Sequence, residues 1–326
     1  MRNLHANIDN FQHFRLEFTF MTPEETAEAK TLEPSARNEE QTASSTTVEK
    51  APAHKKIKKT KKPSTKSKAA EDTTSRNTDS AKKHSSILEV KQVSKRFGDL
   101  LAVDTVSFEV PKGSIFGLVG PNGAGKTTII SMISGMLEPD SGVILLSGND
   151  IWAYPEGRLE LGVLPDRSHI FDRLNAWQYI YYYARLHKVP DSVIKQETER
   201  ILEELGLTEV ANRPLLTYST GMKRKIALAA CIILPAKVLI LDEAFEGIDP
   251  VSVKTLVGML REFVKKGHSV LFSSHDIELV EETCDSLAIV AHGQIQASGT
   301  MAKVRDGKRL TDRYYQATAG KVKRAV

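Results

Sequence analysis

The sequence contains only two cysteines, Cys231 and Cys284, among its 326 residues. Two thiols are too few for a disulfide framework, so both are expected to be small apolar residues in a reducing compartment. No run of 18 apolar residues occurs, since even the stretch 226–241 is interrupted by Pro235 and Lys237. The sequence therefore predicts no membrane-spanning helix. Charged residues near the N-terminus likewise exclude the apolar core of a secretory leader.

Aromatic residues are missing from one long segment, because no Phe, Trp or Tyr occurs between Met21 and Ser86. Residues 1–86 also carry 16 Lys and Arg against 12 Asp and Glu, which accounts for the whole formal charge of +4. Such a segment buries too little apolar surface to offset its conformational entropy, so we expect residues 1–86 to be disordered. Residues 87–326 are long enough to form a sizeable core.

The extension has one strong compositional feature, a lysine-rich run over 54–63 that continues to Lys66 and Lys68. One interpretation is an electrostatic arm for anionic lipid or nucleic acid. The other is a solvated low-complexity linker, which the absence of aromatic residues for base stacking favours.

Beyond Ile87, short apolar strands alternate with helices, which is typical of a parallel sheet covered on both faces. A helix-rich stretch at 173–212 interrupts this alternation and predicts an inserted helical subdomain. The sequence predicts strands at 87–90, 105–110, 114–119, 161–164, 238–241, 269–273, 286–290 and 294–297. It predicts helices at 127–136, 177–186, 191–205, 225–234, 251–266 and 277–283, with Asp191 as the N-cap of the third.

A complete phosphate-binding motif follows the strand that ends at Val119. It reads Gly120-Pro121-Asn122-Gly123-Ala124-Gly125-Lys126-Thr127-Thr128. The glycines let backbone N–H groups approach phosphate oxygens at a helix N-terminus. In this motif Lys126 provides positive charge for the β- and γ-phosphates, and Thr127 provides a hydroxyl for Mg²⁺. A glycine-rich turn with an incidental lysine is the alternative, which the flanking strand and helix disfavour.

Two carboxylates, Asp242 and Glu243, follow the apolar strand 238–241. Because nucleotides bind at the carboxyl edge of such sheets, Asp242 is a candidate Mg²⁺ ligand. Glu243 is a candidate general base for the attacking water, or alternatively a first-turn acid favoured by a helix dipole.

Two further groups extend the candidate site. His275 follows another apolar strand, where it can donate a hydrogen bond to a γ-phosphate, although a lone histidine is weak support. Ser219 precedes a helix with Gly221 close by, which is either a simple helix cap or a second anion site.

The order of these motifs, together with Gly247-Ile248-Asp249-Pro250, resembles the ATP-binding-cassette (ABC) ATPases, over residues 87–319. The resemblance implies an α/β P-loop NTPase fold with a mostly parallel sheet core, an antiparallel β subdomain and a helical subdomain at about 166–225. It implies ATP hydrolysis with Mg²⁺, by a subunit that powers export through a separate membrane permease. Residues 320–326 are then a basic C-terminal tail.

The resemblance also implies roles for individual residues. Phe97 falls where an aromatic ring stacks on adenine, although a core phenylalanine is the alternative. Ser219 and Gly221 lie in the signature motif that contacts the nucleotide of an opposite subunit. Asp166 occupies the position of a glutamine that reaches Mg²⁺ or the attacking water, and it is a shorter, charged substitute. Phe245 replaces a small residue and is expected to pack.

The early part of the helical insertion is aromatic, with Trp177 followed by tyrosines that include Tyr179 and Tyr183. These side chains form either the subdomain core or, with Phe171, a groove for a partner's helix.

The resemblance implies a second nucleotide-binding subunit, identical or not, and a peripheral position on the cytoplasmic face of the membrane. No nucleic-acid partner is expected. The alternatives are a soluble ATPase of the same superfamily that acts on ribosomes or nucleic acid, and an adenylate-binding regulator without turnover.

Overall fold

The computed structural model describes residues 86–165 and 171–319. The predicted extension up to residue 85, the tail 320–326 and Asp166 lie outside these ranges. Ser86, which the sequence analysis placed in the extension, is instead the first residue of a strand, where its backbone pairs with Pro111.

The described residues contain the following strands: β1 Ser86–Phe97, β2 Leu100–Pro111, β3 Ile115–Val119, β4 Ser141–Leu146, β5 Asn149–Asp150, β6 Leu161–Leu164, β7 Val238–Leu241, β8 Ser269–Ser274, β9 Ser286–Ala291 and β10 Gln294–Thr300. The α-helices are α1 Lys126–Ile133, α2 Ala176–Leu186, α3 Asp191–Glu204, α4 Thr220–Ile232, α5 Pro250–Lys265, α6 Ile277–Thr283, α7 Met301–Arg305 and α8 Leu310–Thr318. Short 3₁₀ turns occur at Pro155–Glu160, Thr208–Val210 and Leu215–Thr217.

Two sheets organise these elements. A four-stranded antiparallel sheet has the order β2-β1-β4-β5, and a six-stranded sheet has the order β10-β9-β3-β8-β7-β6. In the larger sheet every neighbouring pair from β9 to β6 is parallel, and only β10 pairs antiparallel. The predicted α/β fold with a mostly parallel core and an antiparallel β subdomain is confirmed.

The larger sheet lies between two apolar cores, because its strands alternate their side chains between the two faces. Ile115 and Val119 of β3 pack into the core on the side of the helical insertion. Phe116 and Leu118 pack into the other core, with α1 and the antiparallel sheet. Burial on both faces explains why these strands are continuous apolar runs in the sequence.

Several predicted boundaries differ from the structure. Helix α1 ends at Ile133, before the predicted residue 136, since Gly135 adopts a left-handed backbone with φ of 76°. Asp191 is the first helical residue of α3 and Pro190 is its N-cap, so the predicted cap is wrong. Helix α4 begins at Thr220, five residues earlier than predicted, because the Ser219 side chain caps it.

The helical insertion has helices α2, α3 and α4 between β6 and β7. Some of its aromatic residues belong to the predicted subdomain core, and others are exposed. Tyr179 is buried, and Tyr183 donates a hydrogen bond of 2.9 Å to the carbonyl of Val163 on β6. By contrast, Phe171 is 54% exposed and meets the edge of Tyr182 at a centroid distance of 5.4 Å.

Both cysteines are buried and free, as expected from their number. Burial disfavours the thiolate and raises the pKa of Cys231 to about 12. Within the described residues, none of the helices combines the length and the hydropathy needed to cross a bilayer.

Substitution of Phe272, which lies at the centre of the larger sheet, tests how much the buried core contributes to stability. Its side chain is 0% exposed and packs edge-on against Phe245, which also confirms that Phe245 packs. We expect Phe272→Ala to lower the free energy of unfolding by about 3–5 kcal/mol through lost burial and a cavity.

The matched control is Phe171→Ala, which removes the same ring from an exposed position and should change stability by less than about 1 kcal/mol. Urea denaturation measures both variants, and equal losses would contradict the proposed core.

Candidate functional site

The parallel register brings three strand ends to one edge of the sheet. Val119 of β3 pairs with Ser274 of β8, and Leu241 of β7 pairs with Phe272 of β8. The phosphate-loop motif, Asp242-Glu243 and His275 each follow one of these strands. The predicted site residues from three distant parts of the chain therefore meet at the carboxyl edge.

Backbone geometry explains the glycine before α1. Gly125 adopts φ of 104°, and a Cβ atom there would lie 2.8 Å from the carbonyl oxygen of Ala102. A larger residue would thus be strained and would also clash with β2. Gly125 allows α1 to begin directly at Lys126. The first N–H groups of α1 have no acceptors within the helix, so they are available to an anion.

Lys126 is held inside the loop that precedes it. Its side chain is 6% exposed, and its Nζ atom donates to the carbonyl of Gly120 at 2.7 Å and to that of Pro121 at 3.3 Å. The same atom lies 3.2 Å from Glu243 Oε1. The buried ammonium is therefore paired with a carboxylate in addition to carbonyl oxygens, which offsets its desolvation.

The two carboxylates are positioned by one serine. Ser273 Oγ donates to Asp242 Oδ1 at 2.5 Å and accepts from the backbone N–H of Glu243 at 3.0 Å. Asp242 is 2% exposed. Glu243 has a left-handed backbone with φ of 47°, an uncommon conformation for a non-glycine residue that often marks functional sites.

His275 completes this cluster. Its Nδ1 atom lies 3.0 Å from Glu243 Oε2, so Glu243 stands between the imidazole and the Lys126 ammonium. His275 itself is exposed. The arrangement holds the Glu243 carboxylate at two points while leaving the imidazole accessible from the cleft.

A cleft of about 730 Å³ opens above these groups. Its lining comprises Phe97, Leu100, Leu101, Ala102, Asn122, Gly123, Ala124, Gly125, Lys126, Thr127, Thr128, Glu243, Glu246, His275, His292 and Gly293. Phe97 is 49% exposed at the end of β1, which fits a stacking platform and excludes the alternative of a core phenylalanine. Of the other predicted residues, Gly120, Pro121 and Asp242 lie outside this lining set.

Ser219 and Gly221 also lie outside the cleft lining. Ser219 Oγ accepts from the backbone N–H of Met222 at 3.2 Å, which confirms its helix-cap interpretation. Both Ser219 and Thr220 are exposed. The start of α4 is consequently an open helix N-terminus outside the cleft of its own chain.

The loop after Glu243 is tied to α4 by ion pairs. Lys225 Nζ lies 2.7 Å from Asp249, and Arg224 lies 3.2 Å from Glu246. The hydrogen bond from Lys225, with a second from the Ser252 N–H, holds the pKa of Asp249 far below its usual range.

Sequence reasoning missed three residues at this site. Ser273 lies in the strand that leads to His275, but only the structure shows that it contacts both acidic residues. Glu246 and His292 line the cleft without belonging to a motif that the sequence analysis singled out. Nothing in the sequence around His292-Gly293 indicates proximity to the phosphate loop.

Comparison with known proteins agrees with this geometry. The family model described as "ABC transporter" matches residues 103–246. The linearmycin resistance ATP-binding protein LnrL of Bacillus subtilis is 34% identical over 215 residues, which cover 66% of this chain and 69% of that protein. The chain belongs to the ABC transporter family.

Other ABC relatives include the Nod factor export ATP-binding protein I of Ralstonia nicotianae, at 33% identity over 65% of this chain and 67% of that protein. Among solved structures, an ATP-binding subunit of an ABC transporter superposes with a TM-score of 0.66 at 29% identity, covering 71% of this chain and 99% of that one. The ABC protein cbiO1 of Clostridium perfringens has a TM-score of 0.60 at 26% identity, covering 71% and 95%.

The chain is thus an ATP-binding and ATP-hydrolysing ABC subunit that serves ATP-powered transport. Subunits of this kind work with membrane permease components and dimerise. The comparisons support transport rather than the alternative of an ATPase acting on ribosomes or nucleic acid.

Ser273 provides a test of how the carboxylates are oriented. We expect Ser273→Ala to lower kcat for ATP hydrolysis by roughly 10-fold, the effect typical of losing an outer-shell hydrogen-bond partner. Steady-state phosphate release measures kcat for the purified chain.

The control is Thr255→Ala, which removes an exposed hydroxyl bonded only to the carbonyl of Val251 in its own helix. Unchanged kcat in Ser273→Ala would show that Asp242 and Glu243 keep their positions without the serine.

Proposed function

We propose that this chain powers export through a separate membrane permease, by closing head to tail with a second cassette around two ATP molecules. The observation that carries the proposal is the separation of two helix N-termini that the sequence predicts to bind anions. One, at α1, faces the cleft, whereas the signature serine at α4 is exposed outside it. A second cassette placed opposite would bring its own Ser219 to the phosphates bound here.

Within one cleft, each predicted residue has a distinct part. Phe97 stacks on the adenine ring, and the N–H groups of the phosphate loop surround the phosphates together with Lys126. Lys126 is paired with Glu243 in this structure. When ATP binds, its γ-phosphate would replace the Glu243 carboxylate as the partner of Lys126.

Hydrolysis then follows from the groups around Glu243. A water oxygen attacks the γ-phosphorus while the bond to the β,γ-bridging oxygen breaks, and ADP leaves with that electron pair. Glu243 accepts the proton of the water, as a general base. His275 holds Glu243 in place through the 3.0 Å contact and faces the γ-phosphate.

The donor set fits Mg²⁺, which prefers oxygen ligands from one or two protein groups together with phosphates. Thr127 offers an exposed hydroxyl at the start of α1, and the buried Asp242 offers a carboxylate already oriented by Ser273. When bound, the ion would neutralise charge on the β- and γ-phosphates. Asp166, the remaining predicted ligand, lies outside the described residues, and its role stays a prediction.

Export is favoured over import by the names of the relatives, which include a resistance protein and a Nod factor export protein. The signature Tyr218-Ser219-Thr220-Gly221-Met222 also resembles exporter-type members. The exposed Phe171 and its contact with Tyr182 provide an aromatic surface for a permease helix. We place the assembly on the cytoplasmic face of the membrane, where anionic lipid would attract the lysine charges of segment 54–63.

The Glu243→Gln variant tests the catalytic assignment. Because glutamine keeps the shape but accepts no proton, we expect kcat to fall at least about 100-fold, while ATP binding persists and closed pairs accumulate. Phosphate release measures turnover, and size-exclusion chromatography with ATP measures pairing.

The control Glu278→Gln neutralises an exposed carboxylate on α6 and should hydrolyse ATP like the wild type. Wild-type turnover by Glu243→Gln would refute the role of Glu243 as the base.

The membrane partner is tested by fractionation of cells that express the tagged chain. We expect the chain to co-purify with an integral membrane protein from detergent-solubilised membranes. Recovery with pelleted ribosomes instead would contradict the proposal.

A further inference from the structure

The turn between β9 and β10 forms one wall of the nucleotide cleft. His292 and Gly293 both line the cleft, beside the phosphate loop. No motif discussed above includes His292, and its exposed imidazole is the only group of this turn that can hydrogen-bond through a side chain.

The turn is bonded directly to the phosphate loop. The N–H of Gly293 donates to the carbonyl of Ala124 at 3.0 Å, and the carbonyl of Gly293 accepts from the N–H of Asp104 at 2.8 Å. A Cβ atom on Gly125 would lie 3.7 Å from the Cα atom of Gly293. The position of His292 is therefore fixed relative to the backbone groups that surround the phosphates.

The backbone at His292 is left-handed, a conformation that glycine adopts with less strain than histidine. His292 and Gly293 have φ of 52° and 75°, and the flanking Ala291 and Gln294 pair directly, which defines a two-residue turn of type I′. Asn-Gly and Asp-Gly are the preferred sequences for this turn. Glycine adopts the left-handed region with less strain than histidine, although histidine is one of the non-glycine residues found there more often, so the turn tolerates His292 without requiring it.

The neighbours of the turn indicate which end of the nucleotide it faces. Gly293 lies against Gly125 and β2, on the side of the β1–β2 hairpin that carries Phe97. The γ-phosphate end of the cleft is defined by Glu243 and His275, which follow β7 and β8. His292 thus lies in the cleft wall beside the start of α1 and strand β2, away from the γ-phosphate end, and from there its imidazole is placed for the sugar or the α-phosphate.

We propose that His292 binds the nucleotide, with its imidazole N–H donating a hydrogen bond to an oxygen of the ribose or of the α-phosphate. The proposal rests on ATP occupying this cleft, as described under the proposed function. It adds a contact from the β9–β10 turn to those made by the phosphate loop and Phe97.

The variant His292→Gly separates this role from that of the turn. Glycine relieves the left-handed backbone while removing the imidazole, so we expect the thermal midpoint to stay level or rise. We expect the Kd for ATP and for ADP to increase about tenfold, the loss typical of one hydrogen bond to a charged group. Calorimetric titration of the full chain measures Kd, and thermal unfolding without nucleotide measures stability.

The matched control is Lys188→Gly, which relieves a similar backbone with φ of 60° at an exposed position outside the cleft lining. It should leave both Kd values unchanged. A His292→Gly chain that binds ATP and ADP as tightly as the wild type overturns the proposal, because the imidazole is then dispensable.

Titration with adenosine distinguishes the two acceptors. A weaker affinity of His292→Gly for adenosine as well supports the ribose, and a loss confined to phosphate-bearing ligands supports the α-phosphate. If the wild-type chain itself fails to bind ATP, the assignment of the cleft fails. Unaltered binding by the variant alone refutes only the role of His292.

Discussion

The parallel pairing of β3, β8 and β7 is the constraint on which the candidate site depends. Their register aligns the carboxyl ends of the strands, so residues separated by more than a hundred positions in sequence meet at one edge. Burial of the strands on both faces fixes this register, because each strand packs against two apolar cores. The short distances among Lys126, Glu243 and His275 are consequences of that alignment.

The charged side chains at this edge of the sheet are paired with one another. Lys126 is bonded to loop carbonyls and to Glu243, and Glu243 contacts His275. A triphosphate would replace a carboxylate partner rather than enter an unpaired cationic pocket. In the proposed mechanism, ATP binding and release of the Glu243 carboxylate result from the same exchange of partners, so the proposed base acts only when substrate is present.

Much of the fold and of the site was predictable from the sequence, for identifiable physical reasons. Apolar runs that end in Gly120, Asp242 and His275 are strongly patterned, because a two-face buried strand tolerates few polar residues. The phosphate loop was predictable because a helix N-terminus that receives phosphate needs glycines at fixed positions.

Other features depend on contacts that no local pattern encodes. Strands β4 and β5 and helices α7 and α8 were not predicted, since short segments gain most of their stability from tertiary packing. The contacts of Ser273 with both acidic residues and the place of His292 in the cleft wall depend on which strands become neighbours. Such information resides in topology rather than in residue periodicity.

The bond from Tyr183 to the carbonyl of Val163 has a consequence beyond the helical insertion. Strand β6 is an outer strand of the larger sheet, and outer strands present backbone groups to which a foreign strand can add. The tyrosine hydroxyl occupies one of those acceptors, while the bulk of α2 and α4 packs nearby. The helical insertion thereby keeps strands of other molecules from pairing with the outer edge of β6.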